Sequence, residues 1–154
     1  MKGANLISIF LVLTALWSFS EPALATLGEK VESIARDSKT LRATQKTAVS
    51  GTGFTVQEMT SDANTVREYL TPSGVVFAVA WNGLAHPDLT TLLGSYAPEF
   101  QEAKRKMVRK PGQKRMALQG SRVVVETWGH MRNLQGRAYV PILIPEGVTI
   151  DEIR

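Results

Sequence analysis

The chain contains no cysteine. That excludes disulfides, thiol nucleophiles, cysteine-ligated zinc, iron–sulfur clusters and a lipid-modified cysteine anchor. Histidine is nearly as scarce, with only His86 and His130 in 154 residues. A metal site needs several ligands in a tight cluster, and two histidines far apart in sequence do not supply one, so no metal and no cofactor is expected. Serine is available at Ser73, Ser95 and Ser121, but none sits in a Gly-x-Ser-x-Gly elbow. A nucleophile, base and orienting group are therefore not legible as a set. There is no internal repeat and no low-complexity segment.

Charge is missing from Gly3 to Ser20, and Leu6–Phe19 is almost wholly apolar. A positive Met1-Lys2 precedes this run, and the small-residue pattern Ala23-Leu24-Ala25 follows it. This is the layout of a secretory signal peptide over residues 1–25, cleaved after Ala25. The alternative is an uncleaved anchor, for which the run falls short of the roughly 20 residues that span a bilayer. Cleavage would remove one lysine and one glutamate and leave the net charge at +4. The expectation is an exported protein, periplasmic or secreted, with no transmembrane segment after cleavage. Residues 26–154 are enough for one core without covalent staples.

What is present reads as a globular α+β domain. Leu27, Val31, Ile34, Ser38 and Leu41 recur at helical spacing and predict an N-terminal amphipathic helix to about Lys46, within an N-terminal region of 26–49. Residues 50–154 then form the main domain. Three strands, Phe54–Thr60, Thr65–Thr71 and Val75–Asn82, are separated by Ser61-Asp62-Ala63-Asn64 and Pro72-Ser73-Gly74, which have turn chemistry. Short connections imply an antiparallel meander. Val75–Trp81 is apolar on both faces and should be the central strand. Val76, Ala78 and Ala80 make one of its faces small enough for a helix to approach. Asp88 reads as the N-cap of that helix, which runs to about Met107, with Pro98 kinking it or opening a second segment. Further strands are expected over Arg122–Trp128 and Arg137–Ile144, with Pro141 at an edge or bulge. Asp151-Glu152-Ile153-Arg154 reads as a short polar tail. The whole is an antiparallel sheet of about five strands with a helical segment on one face.

The strongest compositional signal is basic. Lys104, Arg105, Lys106, Arg109, Lys110, Lys114 and Arg115 fall in one stretch, 104–115, that contains no acid. The positive charge of the chain is thus local, since the remainder sums to −3. Such a segment suits anionic lipid headgroups, lipopolysaccharide phosphates or an acidic polymer. It equally suits a solvated helix end, where cations complement the helix dipole. Nucleic acid is not expected, because the segment lacks interleaved aromatics for base stacking.

A second candidate is a ligand groove made of Trp128, His130, Arg132 and Arg137, with Arg122 nearby, for an anionic or sugar ligand stacked on the indole. The plainer reading is that Trp128 and Tyr139 pack. Glu58, Glu68 and Glu126 lie in predicted strands and read as outward partners of Arg67 or Arg122 rather than as catalytic carboxylates.

The segment from Val66 through Trp81, running on to Pro87-Asp88-Leu89 and Leu92-Leu93-Gly94-Ser95-Tyr96, resembles the bacterial family called domain of unknown function 2844. So do Gly129-His130-Met131-Arg132 and Gly136-Arg137-Ala138-Tyr139. The resemblance covers most of the chain after residue 25, with its parts in order. It implies a small exported protein and a single domain, and it implies no reaction or cofactor. The family pattern has Gly-Pro after the tryptophan where this chain has Gly83-Leu84, so the loop carrying His86 departs from it, which weakens a catalytic role for His86.

The functional expectation is an exported, non-enzymatic binding or envelope-accessory protein whose partner is an envelope protein or an anionic envelope polymer or lipid. The alternatives are a periplasmic hydrolase using His130 and a structural subunit of an envelope assembly.

Overall fold

The computed structural model describes residues 27–30, 44–108 and 112–154, with backbone alone for 44–51. The expected leader and the middle of the expected N-terminal helix lie outside these residues. Where that helix should begin and end, the chain is not helical. Residues 27–30 form a turn and a bridge, Lys30 to Val75. Residues 44–51 form a strand.

Seven strands build one antiparallel sheet: β1 (Thr44–Gly51), β2 (Phe54–Thr60), β3 (Asn64–Leu70), β4 (Val76–Gly83), β5 (Met116–Gln119), β6 (Val124–His130) and β7 (Asn133–Tyr139). Their spatial order is β1-β2-β3-β4-β7-β6-β5. The first four make the expected meander, and β4 is the central strand, as its apolar sequence requires. The two strands beyond the expected five are the outermost ones, β1 and β5. The last strand ends earlier than expected. Pro141 does not lie in it but opens a 3-10 turn, Pro141–Leu143, where its fixed φ and missing N–H cost nothing.

The helical segment has the expected two parts. α1 (Leu89–Leu93) starts at Asp88, whose carboxylate accepts from Thr90 N–H at 2.9 Å and from Thr91 Oγ1 at 2.8 Å. A 3-10 turn at Gly94–Tyr96 separates it from α2 (Ala97–Lys106), with Pro98 in the first turn of α2.

The face that receives these helices differs from the expected one. The β3–β4 register shifts between Tyr69–Ala78 and Leu70–Val76. Phe77 is the extra residue, and the alternation inverts across it. Val76, Val79 and Trp81 therefore pack with Leu92, Leu93, Ala97 and Phe100. Trp81 is the largest fully buried side chain and lies over Gly136, where a Cβ has no room. Glu68, expected to point outward, is fully buried and shares strand parity with Val66 and Leu70.

Ala78 and Ala80 instead face the C-terminal segment. Ile153 is fully buried against them with Tyr69, Phe77 and Tyr139. The tail is thus apolar where it matters. Tyr69 Oη donates to the Arg154 main-chain oxygen at 2.8 Å and accepts from Arg154 N–H at 2.9 Å. Arg137 donates to Ile150 O at 2.6 Å. Thr149 and Glu152 cap the 3-10 turn Ile150–Glu152 that delivers Ile153.

Candidate functional site

α2 ends on Lys104, Arg105 and Lys106, and Lys114 and Arg115 immediately precede β5 at the sheet's outer edge. Two clefts flank that edge. The first holds about 510 Å³ and opens on the helix-bearing side, lined by His86, Asp88, Phe100, Lys104, Lys114 and Arg115 among others. The second holds about 420 Å³ and is lined by Arg115, Ala117, Glu126, Trp128 and Arg137 among others. Arg115, Met116, Gln113 and Thr127 line both.

The basic segment is therefore only partly gathered at a site. Lys104, Lys114 and Arg115 line the first cleft. Arg105 and Lys106 are exposed on α2, and Lys106 pairs with Glu102 at 2.7 Å. Arg109 and Lys110 lie outside the described residues. Lys104 also sits over the Phe100 ring, 5.8 Å from its centroid. Asp88 is the acid of this cleft, but its oxygens are committed to the N-cap. Against the upward push of burial, its bonds to Thr91 and Thr90 hold it below the usual carboxylate range.

His86 belongs to this cleft, although the sequence offered no reason to prefer it. The indole N–H of Trp81 donates to His86 Nδ1 at 2.9 Å, and the rings meet edge to face. Burial lowers the His86 pKa, so the ring is held neutral. A neutral imidazole that accepts at Nδ1 carries its proton on Nε2. The sequence signal was the five-residue spacing from Trp81, which the bend at Leu84-Ala85 converts into contact.

The groove expected from Trp128, His130, Arg132 and Arg137 assembles in half. Trp128 and Arg137 share the second cleft, with the guanidinium 5.8 Å from the indole centroid. Trp128 Nε1 donates to Gln135 Oε1 at 3.0 Å. Arg137 pairs with Glu126 at 2.5 Å. His130 ends β6 opposite Asn133, and Met131-Arg132 form the exposed hairpin turn, with Arg132 at φ 65°. Neither His130 nor Arg132 lines the cleft. Gly129 at φ 111° leaves no room for a Cβ, which would collide with the Asn133 carbonyl.

Arg122 also goes elsewhere. Its N–H and that of its side chain bind Glu99, at 2.5 and 3.3 Å, with Ser121 Oγ adding a third donor at 2.9 Å. The guanidinium stacks on Tyr96 at 4.9 Å. This cluster ties α2 to the β5–β6 turn. Of the strand carboxylates, Glu58 pairs with Arg67 at 2.9 Å as expected, whereas Glu126 takes Arg137 rather than Arg122.

Among the described residues no three His, Asp or Glu side chains are grouped to hold a metal ion. Among them, too, no helix is long and apolar enough to cross a membrane. Residues 23–153 match the model of the family described as protein of unknown function DUF2844. No curated protein and no solved structure matches the chain. The chain belongs to that family.

Proposed function

We propose that this family member is an exported binding protein that holds an anionic group of an envelope partner in the first cleft. The observation that carries the reading is the convergence of Lys104, Lys114 and Arg115 with the neutral imidazole of His86 in one concave site of about 510 Å³. The acid present, Asp88, is occupied by the helix cap, so the cleft offers donors and positive charge to a phosphate or carboxylate. Export rests on the leader-like residues 1–25. Among the described residues no nucleophile and base are assembled, which is why binding, rather than turnover, is proposed.

The test uses the chain without residues 1–25, titrated with phosphatidylglycerol vesicles and with polyglutamate at low and high salt. A Lys104→Gln/Lys114→Gln/Arg115→Gln variant is the comparison. Each cation near an anionic surface is worth about 1 kcal/mol, so the triple change should weaken binding on the order of 100-fold. Binding to either polyanion that survives both high salt and the triple change would overturn the reading. The rival, a hydrolase working through His130, makes a different forecast: His130→Ala would abolish function in a deletion strain. The binding reading expects that variant to complement fully.

A further inference from the structure

β5 is the terminal strand of the sheet, and its first residue, Met116, lines both clefts, as does Arg115 just before it. Its hydrogen-bonding phase follows from the turn. Gly120 N–H donates to Val123 O at 2.8 Å, which makes that pair hydrogen-bonded. In an antiparallel ladder bonded and non-bonded pairs alternate. With the register Gln119–Val124, Leu118–Val125, Ala117–Glu126 and Met116–Thr127, Leu118 and Met116 bond to β6. Ala117 and Gln119 then direct N–H and C=O outward, away from the sheet.

We propose that this edge receives an extended, acidic peptide segment of the partner as an added strand. The proposal rests on the anion-binding reading and names the partner's chemistry. An added strand sends successive side chains to opposite faces. Beside β5 those faces are the two clefts. Acidic side chains entering the first would meet Lys104 and Lys114, and those entering the second would meet Arg115, with the Trp128 ring as an apolar wall. Lys114 and Arg115 form no ion pair among the described residues, so both charges are available to a partner. A free phosphate or a lipid headgroup would use the cations alone. Only a polypeptide uses the cations together with the outward amides of Ala117 and Gln119.

The probe is a capped eight-residue peptide alternating Glu and Val, titrated onto the chain without residues 1–25 and followed by backbone amide NMR. The expected result is binding with the largest shifts at 115–119. A probe N-methylated at every second amide should bind at least about tenfold more weakly, because it cannot extend the ladder. Ala117→Pro, which removes one outward donor and no bond to β6, should do the same. A Lys114→Glu/Arg115→Glu variant should lose the acidic probe and gain its lysine counterpart. The proposal is overturned if the N-methylated probe binds as well as the parent. It is also overturned if vesicles bind and the peptide does not, an outcome that leaves the anion-binding reading intact. If neither binds, both fail. If the protein self-associates and Ala117→Pro dissolves the dimer, the edge serves a second copy of this chain instead.

Discussion

The indole N–H of Trp81 donates to Nδ1 of His86, which leaves Nε2 to carry the proton of a neutral ring. Burial pushes the pKa of His86 down, and an imidazolium cannot accept at Nδ1, so both effects favour the neutral form. The sign for stability follows. The unfolded chain takes up a proton on His86 at a higher pH than the folded chain does. Stability contributed by the neutral ring is complete above the ordinary imidazole range, falls as pH drops through it, and stops falling once the folded state is protonated too. Trp81→Phe removes the donor and leaves a small void, at a cost of about 2 kcal/mol. It should also raise the His86 pKa. Long-range proton–nitrogen NMR of the imidazoles checks this directly, since the native ring must show the Nε2–H tautomer. A native ring already charged at neutral pH, or one protonated at Nδ1, would sink the argument.

At the scale of elements, what the sequence revealed depended on whether the signal was local. The β2–β3–β4 meander was legible because turn residues punctuate strong alternation, and Asp88 and Pro98 marked the helix joints by their own chemistry. β1 was not legible, because Thr44–Gly51 is mostly polar and has no alternation; an edge strand needs little. β5 is four residues long, and its strand state comes from pairing with β6. The two halves of the candidate site divide in the same way. The cations at 104–115 were visible as composition, whereas the role of His86 depends on a contact across a bend. The bulge at Phe77 is the clearest tertiary effect: it turns Ala78 and Ala80 away from the helices and makes their face the seat of the C-terminal segment. Ile153 fills that seat. Ile153→Ala should therefore cost about 2–4 kcal/mol in chemical denaturation, as for any fully buried aliphatic truncated to a methyl. The neighbouring, exposed Asp151→Ala should stay within about 0.5 kcal/mol. Equal effects from the two would mean the tail is not a packed part of the domain.

For the whole molecule, the sheet has two unlike sides, and its central strands β3, β4 and β7 contribute to both. β4 carries Val79 and Trp81 into the core beneath α1 and α2, and Ala78 and Ala80 into the core beneath the C-terminal segment. Its neighbours β3 and β7 protect it laterally. Opening β4 therefore means losing both cores at once, whereas opening β5 breaks one ladder and a few contacts with α2. With no disulfide available, this gradient sets the order in which the fold comes apart. Native-state hydrogen exchange should find the Val79 amide opening only with global unfolding. The Leu118 amide, equally bonded within its ladder, should exchange through a smaller local opening. The comparison must use Leu118, because Ala117 and Gln119 face outward and exchange fast for a different reason. If Leu118 were protected as strongly as Val79, the edge would be rigid and β5 would be no more accessible to a partner strand than the centre of the sheet. A weakly protected Leu118 beside a strongly protected Val79 would instead give the binding edge local adaptability without endangering the core that holds it.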